Sequence, residues 1–475
     1  MISIDMLPDD VLLEIFDFHV NKYSDEDLEL LDFDVFKLEV EQWQRLTHVC
    51  RRWRSVVFES PRRLNLRLVC TPRTPATTLD LWPSLPLFIQ DSVNRTEDVD
   101  EIIAVLERKD RVVDINISLV DCSNLENVLV AMQAPFPELT SLILAPDRDG
   151  MVSVVPDSFL GGSAPRLEYL WLSRIPFPGL LKLLLSANHL VDLHLMNIPH
   201  SGYISPEAMV TALSALTSLA RLFLVFESPQ SRPHWASRPP PPMTRSVLPA
   251  LTRFWFKGVG EYLEDIAARI DAPHLNRLEI IFFNQIVFDT PQFIQFISRS
   301  PTMKAFEKAR VRFEYGSSRV KLLSQTPGYG TLDVTVRCID LDWQVSSMEQ
   351  VCTSCLPPLS TLDDLYIYED LYSPPVWQDN IENALWLELL QPFTAVKDLY
   401  LSKKFASRIM PALQELVEGS MTEVLPVLQN IFLEELQLSE TIQAGIQQFV
   451  ATRQATGQPI TVSRWDNSKE GSHGF

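Results

Sequence analysis

Cys352-Thr-Ser-Cys355 is the pair of side chains best placed to hold a metal. A structural zinc site needs four thiolate or imidazole ligands. The sequence offers neither a second Cys pair nor a nearby His, so both residues read as ordinary thiols and no metal is expected. His189, His194 and His200 crowd together without an H-x-x-x-H spacing, and His194 sits between Leu193 and Leu195 in a strand pattern. Gly258-Val-Gly260 and Gly328-Tyr-Gly330 begin like a dinucleotide fingerprint but lack its third glycine, so both read as turns. Gly161-Gly-Ser163 runs on into Ala-Pro instead of completing a nucleophile elbow, and no G-x-x-x-x-G-K-[ST] occurs. No catalytic residue and no cofactor is expected; the chain reads as a non-enzyme.

Composition points the same way. Apolar residues make up 46% of the 475 residues, enough for a large core, and 34 prolines against 15 glycines suit a chain punctuated by prolines. A formal charge of −20 argues against nucleic acid or an anionic membrane as the main partner, because both need a basic surface. Six cysteines are too sparse for a disulfide scaffold of this length. The start MISIDMLPDD has no basic n-region, so no secretory signal is expected, and no 18-residue window is free of charges and helix breakers, so no membrane span is expected. Cytoplasm, nucleus or both is the expected location.

The elements come in repeats. From residue 111 the pattern apolar-x-x-apolar-x-apolar recurs, as in Val112–Ile115–Ile117, Leu139–Leu142–Leu144, Leu167–Leu170–Leu172, Leu251–Phe254–Phe256 and Val396–Leu399–Leu401. Successive starts lie 23–34 residues apart, except for one gap of 87 with room for about three units, where Tyr329–Leu332–Val334 is a candidate. Helix signals fall between strands: Ser205-Pro206 and Thr290-Pro291 as N-terminal caps, and Gly419 as a C-terminal one. Strand, loop and helix every ~28 residues is the leucine-rich-repeat plan, since one such unit cannot bury its own apolar face. The position that usually carries Asn or Cys is filled here by Asp147, Ile175, Ile198, Glu227, Val259 and Phe283, so the repeat is irregular. The expected class is α/β: an N-terminal helical segment (1–60), connecting strands or a cap (61–110), and a repeat solenoid (111–462) with parallel strands inside and helices outside. A Pro-rich loop (228–246) reads as a surface insertion or a polyproline ligand, and 463–475 reads as a disordered tail.

Within each strand the residue between the last two apolar positions should face away from the helices. Those positions are Trp171, His194, Phe223, Trp255, Glu279, Tyr366, Tyr400 and Phe432, mostly aromatic, and the preceding outward position gives a row of Arg221, Arg253 and Arg277. Exposed aromatics beside arginines would suit capture of an acidic or phosphorylated protein segment. The other reading is internal: Asp192 and Glu279 pair with the arginines while loops or the C-terminal tail cover the aromatics.

The N-terminus carries two short apolar helical segments, LPDDVLLEIF (7–16) and LTHVCRRWRSVV (46–57), separated by an acidic stretch at 21–41 with eight carboxylates. Residues 45–73 hold eight arginines against Glu59, a natural counter-charge for that stretch. Two such helices make too little core to stand alone. Together they resemble the F-box, a Leu-Pro helix followed by a Leu-x-x-Val-Cys-Arg-x-Trp helix, with the acidic stretch as an insertion. Phrases farther on, such as DSFLGGSAPRLEYLWLS and PHLNRLEIIFFN, resemble the F-box proteins of mushroom-forming fungi. The resemblance implies pairing with the Skp adaptor and cullin scaffold of a ubiquitin ligase, through Leu7, Pro8, Val11, Ile15, Phe16, Leu46, Val49, Cys50 and Trp53. It further implies that the repeats capture a protein target, for which the strand pattern offers Trp171, Arg221, Phe223, Arg253, Trp255, Arg277, Tyr366 and Tyr400. The alternatives are a capping hairpin at the N-terminus and a repeat scaffold with no ligase.

Overall fold

Every segment with the apolar-x-x-apolar-x-apolar pattern is a strand in the computed structural model of the chain. The structure describes residues 7–20, 42–61, 63–71, 76–91, 99–118, 122–146, 154–230, 244–284, 288–304, 306–324, 326, 330–378, 381–418, 424–435 and 440–465. The acidic stretch 21–41, Gly419, most of the Pro-rich loop and the tail from 466 lie outside those residues. The chain divides into two compact units, Met1–Gly202 and Tyr203–Phe475.

In the first unit the helices Asp9–Val20, Trp43–Thr47 and Arg51–Glu59 precede strands Leu68–Cys70, Leu87–Asp91, Val112–Ser118, Ser141–Ala145, Tyr169–Ser173 and Asp192–Ile198. Consecutive strands pair in parallel, so each connection must cross back over the sheet. The crossings include helices Val99–Leu106, Cys122–Ala131 and Leu180–Ser186. Register places Ile115, Leu142, Leu170 and Leu193 in one buried row and Ile117, Leu144, Leu172 and Leu195 in the next. The alternation of Leu64, Leu66 and Leu68 predicts a longer first strand than is found. All three are buried, but Asn65 takes a left-handed φ of 48° and the backbone turns there, leaving Leu68–Cys70 as the strand.

The second unit is mixed. Strands Arg221–Phe226, Arg253–Gly258 and Arg277–Phe282 pair in parallel, as do Asp364–Glu369, Asp398–Leu401, Asn430–Leu433 and Thr461–Arg464. Between the two groups lie Thr331–Val336, Ser317–Leu323 and Lys308–Glu314, in that spatial order, with the middle strand antiparallel to both neighbours. This corrects the expectation of parallel strands throughout, and of about three further units in the long gap. The reason is local: KARVRFE and SSRVKLL alternate strictly, and Tyr315-Gly316 joins them in a tight turn with Gly316 at φ 78°. Leu332 and Val334 are buried strand residues as the pattern predicts; Tyr329 lies outside the described residues.

In place of the usual Asn or Cys position, a tight turn recurs at the start of eight of the ten repeats. The N–H of Leu139, Leu167, Leu190, Leu219, Leu251, Leu275, Leu362 and Leu428 donates to the carbonyl three residues earlier. Pro137, Pro165, Pro249, Pro273 and Pro426 occupy the second position of these turns, where a φ near −65° is pre-set. Five of the 34 prolines thus set the turns that lead into strands. Helix Pro206–Leu213 is capped by Ser205, whose hydroxyl accepts from the Ala208 N–H at 3.3 Å. Thr290 makes no such bond at Pro291–Arg299. There the buried Glu264 carboxylate takes the N–H groups of Gln292 (3.0 Å) and Phe293 (2.7 Å).

Candidate interaction surfaces

The N-terminal helices split their apolar residues between two jobs. In Asp9–Val20, Leu12 and Phe16 are buried one turn apart, and the Phe16 ring lies 4.7 Å from that of Trp53. Val11, Ile15 and Phe18 form the neighbouring stripe and stay exposed, Ile15 at 42% and Phe18 at 88%. Trp43 and Leu46 are buried; the Trp43 indole N–H donates to the Arg67 carbonyl at 3.1 Å and its ring packs edge-on against Trp82, seating the helices on the start of the sheet. Cys50 caps Arg51–Glu59, its Sγ accepting from the Trp53 N–H at 3.4 Å. Arg52 ties the two helical segments together through Asp9 (2.6 Å) and the Leu7 carbonyl (2.5 Å), and Arg63 pairs with Glu14.

Of the nine residues expected at an adaptor, Phe16 and Leu46 are therefore internal, and Trp53, Cys50 and Leu7 are half-buried. Pro8, Val11, Ile15 and Val49 are exposed. Phe18 joins the exposed stripe and was not picked out from sequence; its i+3 spacing from Ile15 is the signal that would have found it.

On the sheet of the second unit the expected arginine row exists, with Arg221, Arg253 and Arg277 in register. It is not a free cationic strip. Glu279 accepts from Arg277 Nε at 2.6 Å and from Arg253 Nη2 at 3.1 Å. The aromatic row is partly closed too. Phe223 and Tyr366, expected at the open face, are buried, Tyr366 to 2%. Neighbouring strands bring flat rings into stacking range: Tyr366 lies 4.1 Å from Tyr400, and Tyr400 lies 4.5 Å from Phe432. Trp465 packs edge-on against Tyr366 and Tyr400, and Arg310 and Lys308 lie over the Tyr366 ring. Trp255 and Tyr400 remain half-buried, with Trp255 edge-on to Phe223. In the first unit Trp171 is half-buried and stacks on His194 at 4.7 Å.

Beside Trp255 a cavity of about 260 Å³ is lined by Glu279, Arg319, Asp333 and Thr335. Arg319 donates to Asp333 through Nε at 2.6 Å and through Nη2. Burial lowers the Arg319 pKa, but the bonds to Asp333 outweigh it and hold the guanidinium charged. Lys257 and Lys321 shift the other way: burial pushes both down, and Arg337 adds to the effect at Lys257.

Cys352 and Cys355 are buried near the end of helix Leu341–Ser354, with Thr290 Oγ1 2.9 Å from the Cys355 sulfur. Among the described residues no group of His, Cys, Asp and Glu side chains is arranged to hold a metal. Burial pushes the Cys338 and Cys355 thiols up to about 12 and that of Cys352 higher still. Iodoacetamide at pH 8 should therefore modify Cys50 in the native protein long before Cys338, Cys352 or Cys355, because the thiolate is the nucleophile. Peptide mass spectrometry reads this directly, and rapid labelling of Cys352 would contradict the buried placement.

The chain matches no protein-family model and no curated protein. Among the described residues no helix is long and apolar enough to cross a membrane. Two surface features stand out: an exposed apolar stripe on the helix Asp9–Val20, and a sheet face whose arginines Arg253 and Arg277 pair with Glu279. A third feature had no counterpart in the repeat pattern. Tyr315, Ile339, Trp343, Leu371, Tyr372 and Val376 are large, exposed side chains of the second unit, lying in turns and at a helix start that the strand pattern skips.

Proposed function

We propose that this protein is the substrate-recognition subunit of a Skp–cullin–F-box type ubiquitin ligase. In this reading residues 1–60 are an F-box that docks on the Skp adaptor. The strand-and-helix repeats are an irregular leucine-rich-repeat solenoid that holds a protein target. The protein makes and breaks no bonds itself; it raises the effective concentration of target lysines beside a ubiquitin-charged partner. Such a role belongs in the cytoplasm or nucleus.

The observation that supports the reading is the exposed stripe of Val11, Ile15 and Phe18 on a helix whose Leu12 and Phe16 are already buried, with Val49 exposed in the turn before the last helix. Apolar side chains grouped this way mark an interaction site more often than chance exposure. The Leu-Pro and Val-Cys-Arg-x-Trp motifs on the same helices give the stripe a partner type. The test is to express the full chain with a Skp-type adaptor and purify it by a tag on the chain. Stoichiometric adaptor in the eluate is the expected result. A folded chain that never retains the adaptor removes the ligase reading and leaves a repeat scaffold that binds its targets without ubiquitin transfer.

A further inference from the structure

Six exposed side chains of the second unit stand on backbone segments that are bonded to one another. The Tyr315 N–H donates to the Ser373 carbonyl at 2.8 Å, and Asp340 bridges to Val376. The Asp342 N–H donates to Gln378 Oε1 at 3.1 Å. Gln344, wholly buried, clamps the same place from beneath, its amide donating to the carbonyls of Glu314 (3.0 Å) and Cys338 (2.9 Å). Asp370 accepts from the N–H groups of Tyr372 (2.9 Å) and Ser373 (2.8 Å), which fixes a turn presenting Leu371 at 74% and Tyr372 at 94% exposure.

From this arrangement we infer a docking platform for an extended segment of a partner protein that carries apolar side chains flanked by Lys or Arg. Large apolar groups held out by a braced backbone lose little conformational freedom on binding, and Tyr and Trp dominate interface hot spots. The charge around them selects the partner. Glu314, Asp340, Asp342 and Asp370 surround the platform; Arg312 pairs with both Glu314 and Asp370, while Asp340 is exposed, Asp342 is half-buried, and neither has an ion pair among the described residues. Their negative field is felt at Cys338, where both carboxylates add to burial in raising the thiol. Arg337, at the other end of the same loop, faces Lys257. A cationic segment gains at this rim and an acidic one is repelled. The inference concerns target capture alone and stands whether or not the N-terminal helices take an adaptor.

The test is selection of a displayed library of random peptides on the full chain, followed by fluorescence anisotropy with the enriched peptides. Enriched peptides should combine aromatic or aliphatic residues with Lys or Arg. Leu371→Ala with Tyr372→Ala should weaken them about tenfold or more. Asp340→Lys with Asp342→Lys keeps every apolar side chain and should reject the same peptides, while added salt should weaken wild-type binding. Unchanged urea midpoints in both variants show that the effect is on binding. Enrichment of acidic peptides, equal binding by the Leu371/Tyr372 variant, or a self-association of the wild type that this variant abolishes would each overturn the proposal.

Discussion

Replacing Ile15 by Glu is expected to release the adaptor and leave stability unchanged, while replacing the next residue, Phe16, by Ala is expected to undock the N-terminal helices. The two side chains sit one position apart on the same helix and face different solvents. Phe16 is fully buried against Trp53, and removing a buried phenyl ring costs about 3–5 kcal/mol in lost transfer energy and cavity. Ile15 is 42% exposed, so a polar replacement should shift stability by only about 0.5 kcal/mol. As an anchor of the proposed interface it should contribute about 2 kcal/mol, a factor of ~30 in affinity. Adaptor titration and urea unfolding on the same samples separate the cases. Adaptor binding unaffected in Ile15→Glu would mean that the exposed stripe is not the docking surface.

Asp333→Ala is expected to destabilise the second unit by about 2 kcal/mol, below the full cost of breaking a buried pair because Arg319 is partly exposed, whereas Arg319→Met with Asp333→Leu should recover most of that loss. Asp333 is nearly inaccessible, and Arg319, its partner on the adjacent antiparallel strand, is largely withdrawn from water. Removing only the carboxylate leaves a mostly buried guanidinium without its main counter-charge, the costly half of breaking a buried pair, lessened here by its partial exposure and by Glu279 and Glu314 nearby. Replacing both partners removes the desolvation penalty together with the attraction, which is why such double replacements are often close to neutral. Chemical denaturation of the three proteins decides it. A single variant as stable as wild type would show that water reaches Arg319 freely.

The strands were legible because their signal is local and redundant. Leu275–Leu278–Ile280 and its relatives read as strands from apolar spacing alone, and the structure buries each of those side chains. The hairpin at 308–323 was equally local: the alternation in KARVRFE-YG-SSRVKLL and the glycine needed for the turn are both in the sequence. A search for one repeated template passes over it because its period is two, not that of the template. The Pro-x-Leu turn before five of the strands is passed over for the opposite reason. It lies at the edge of the template, and its hydrogen bond becomes apparent only when several repeats are seen folded.

The sequence by itself determined which segments are strands, which are helices, and which face of each is apolar, because period and capping act within a few residues. It also placed Arg221, Arg253 and Arg277 in one row, since parallel strands with the same template share a register. Only the tertiary structure decided what that row is free to do. Glu279 reaches Arg277 two residues before it on its own strand, and Arg253 because the neighbouring strand stands about 4.8 Å away, so an expected cationic strip becomes an internal ion network. The same spacing stacks Tyr366 on Tyr400, and Trp465, about a hundred residues later in the chain, closes the stack from one edge. In the N-terminal helix, spacing marks Val11, Leu12, Ile15 and Phe16 as one apolar face. The packing of Trp53 against Phe16 then assigns half of that face to the interior and leaves the other half exposed. Exposure is a property of what else arrives at a surface, and a single strand or helix does not contain that information.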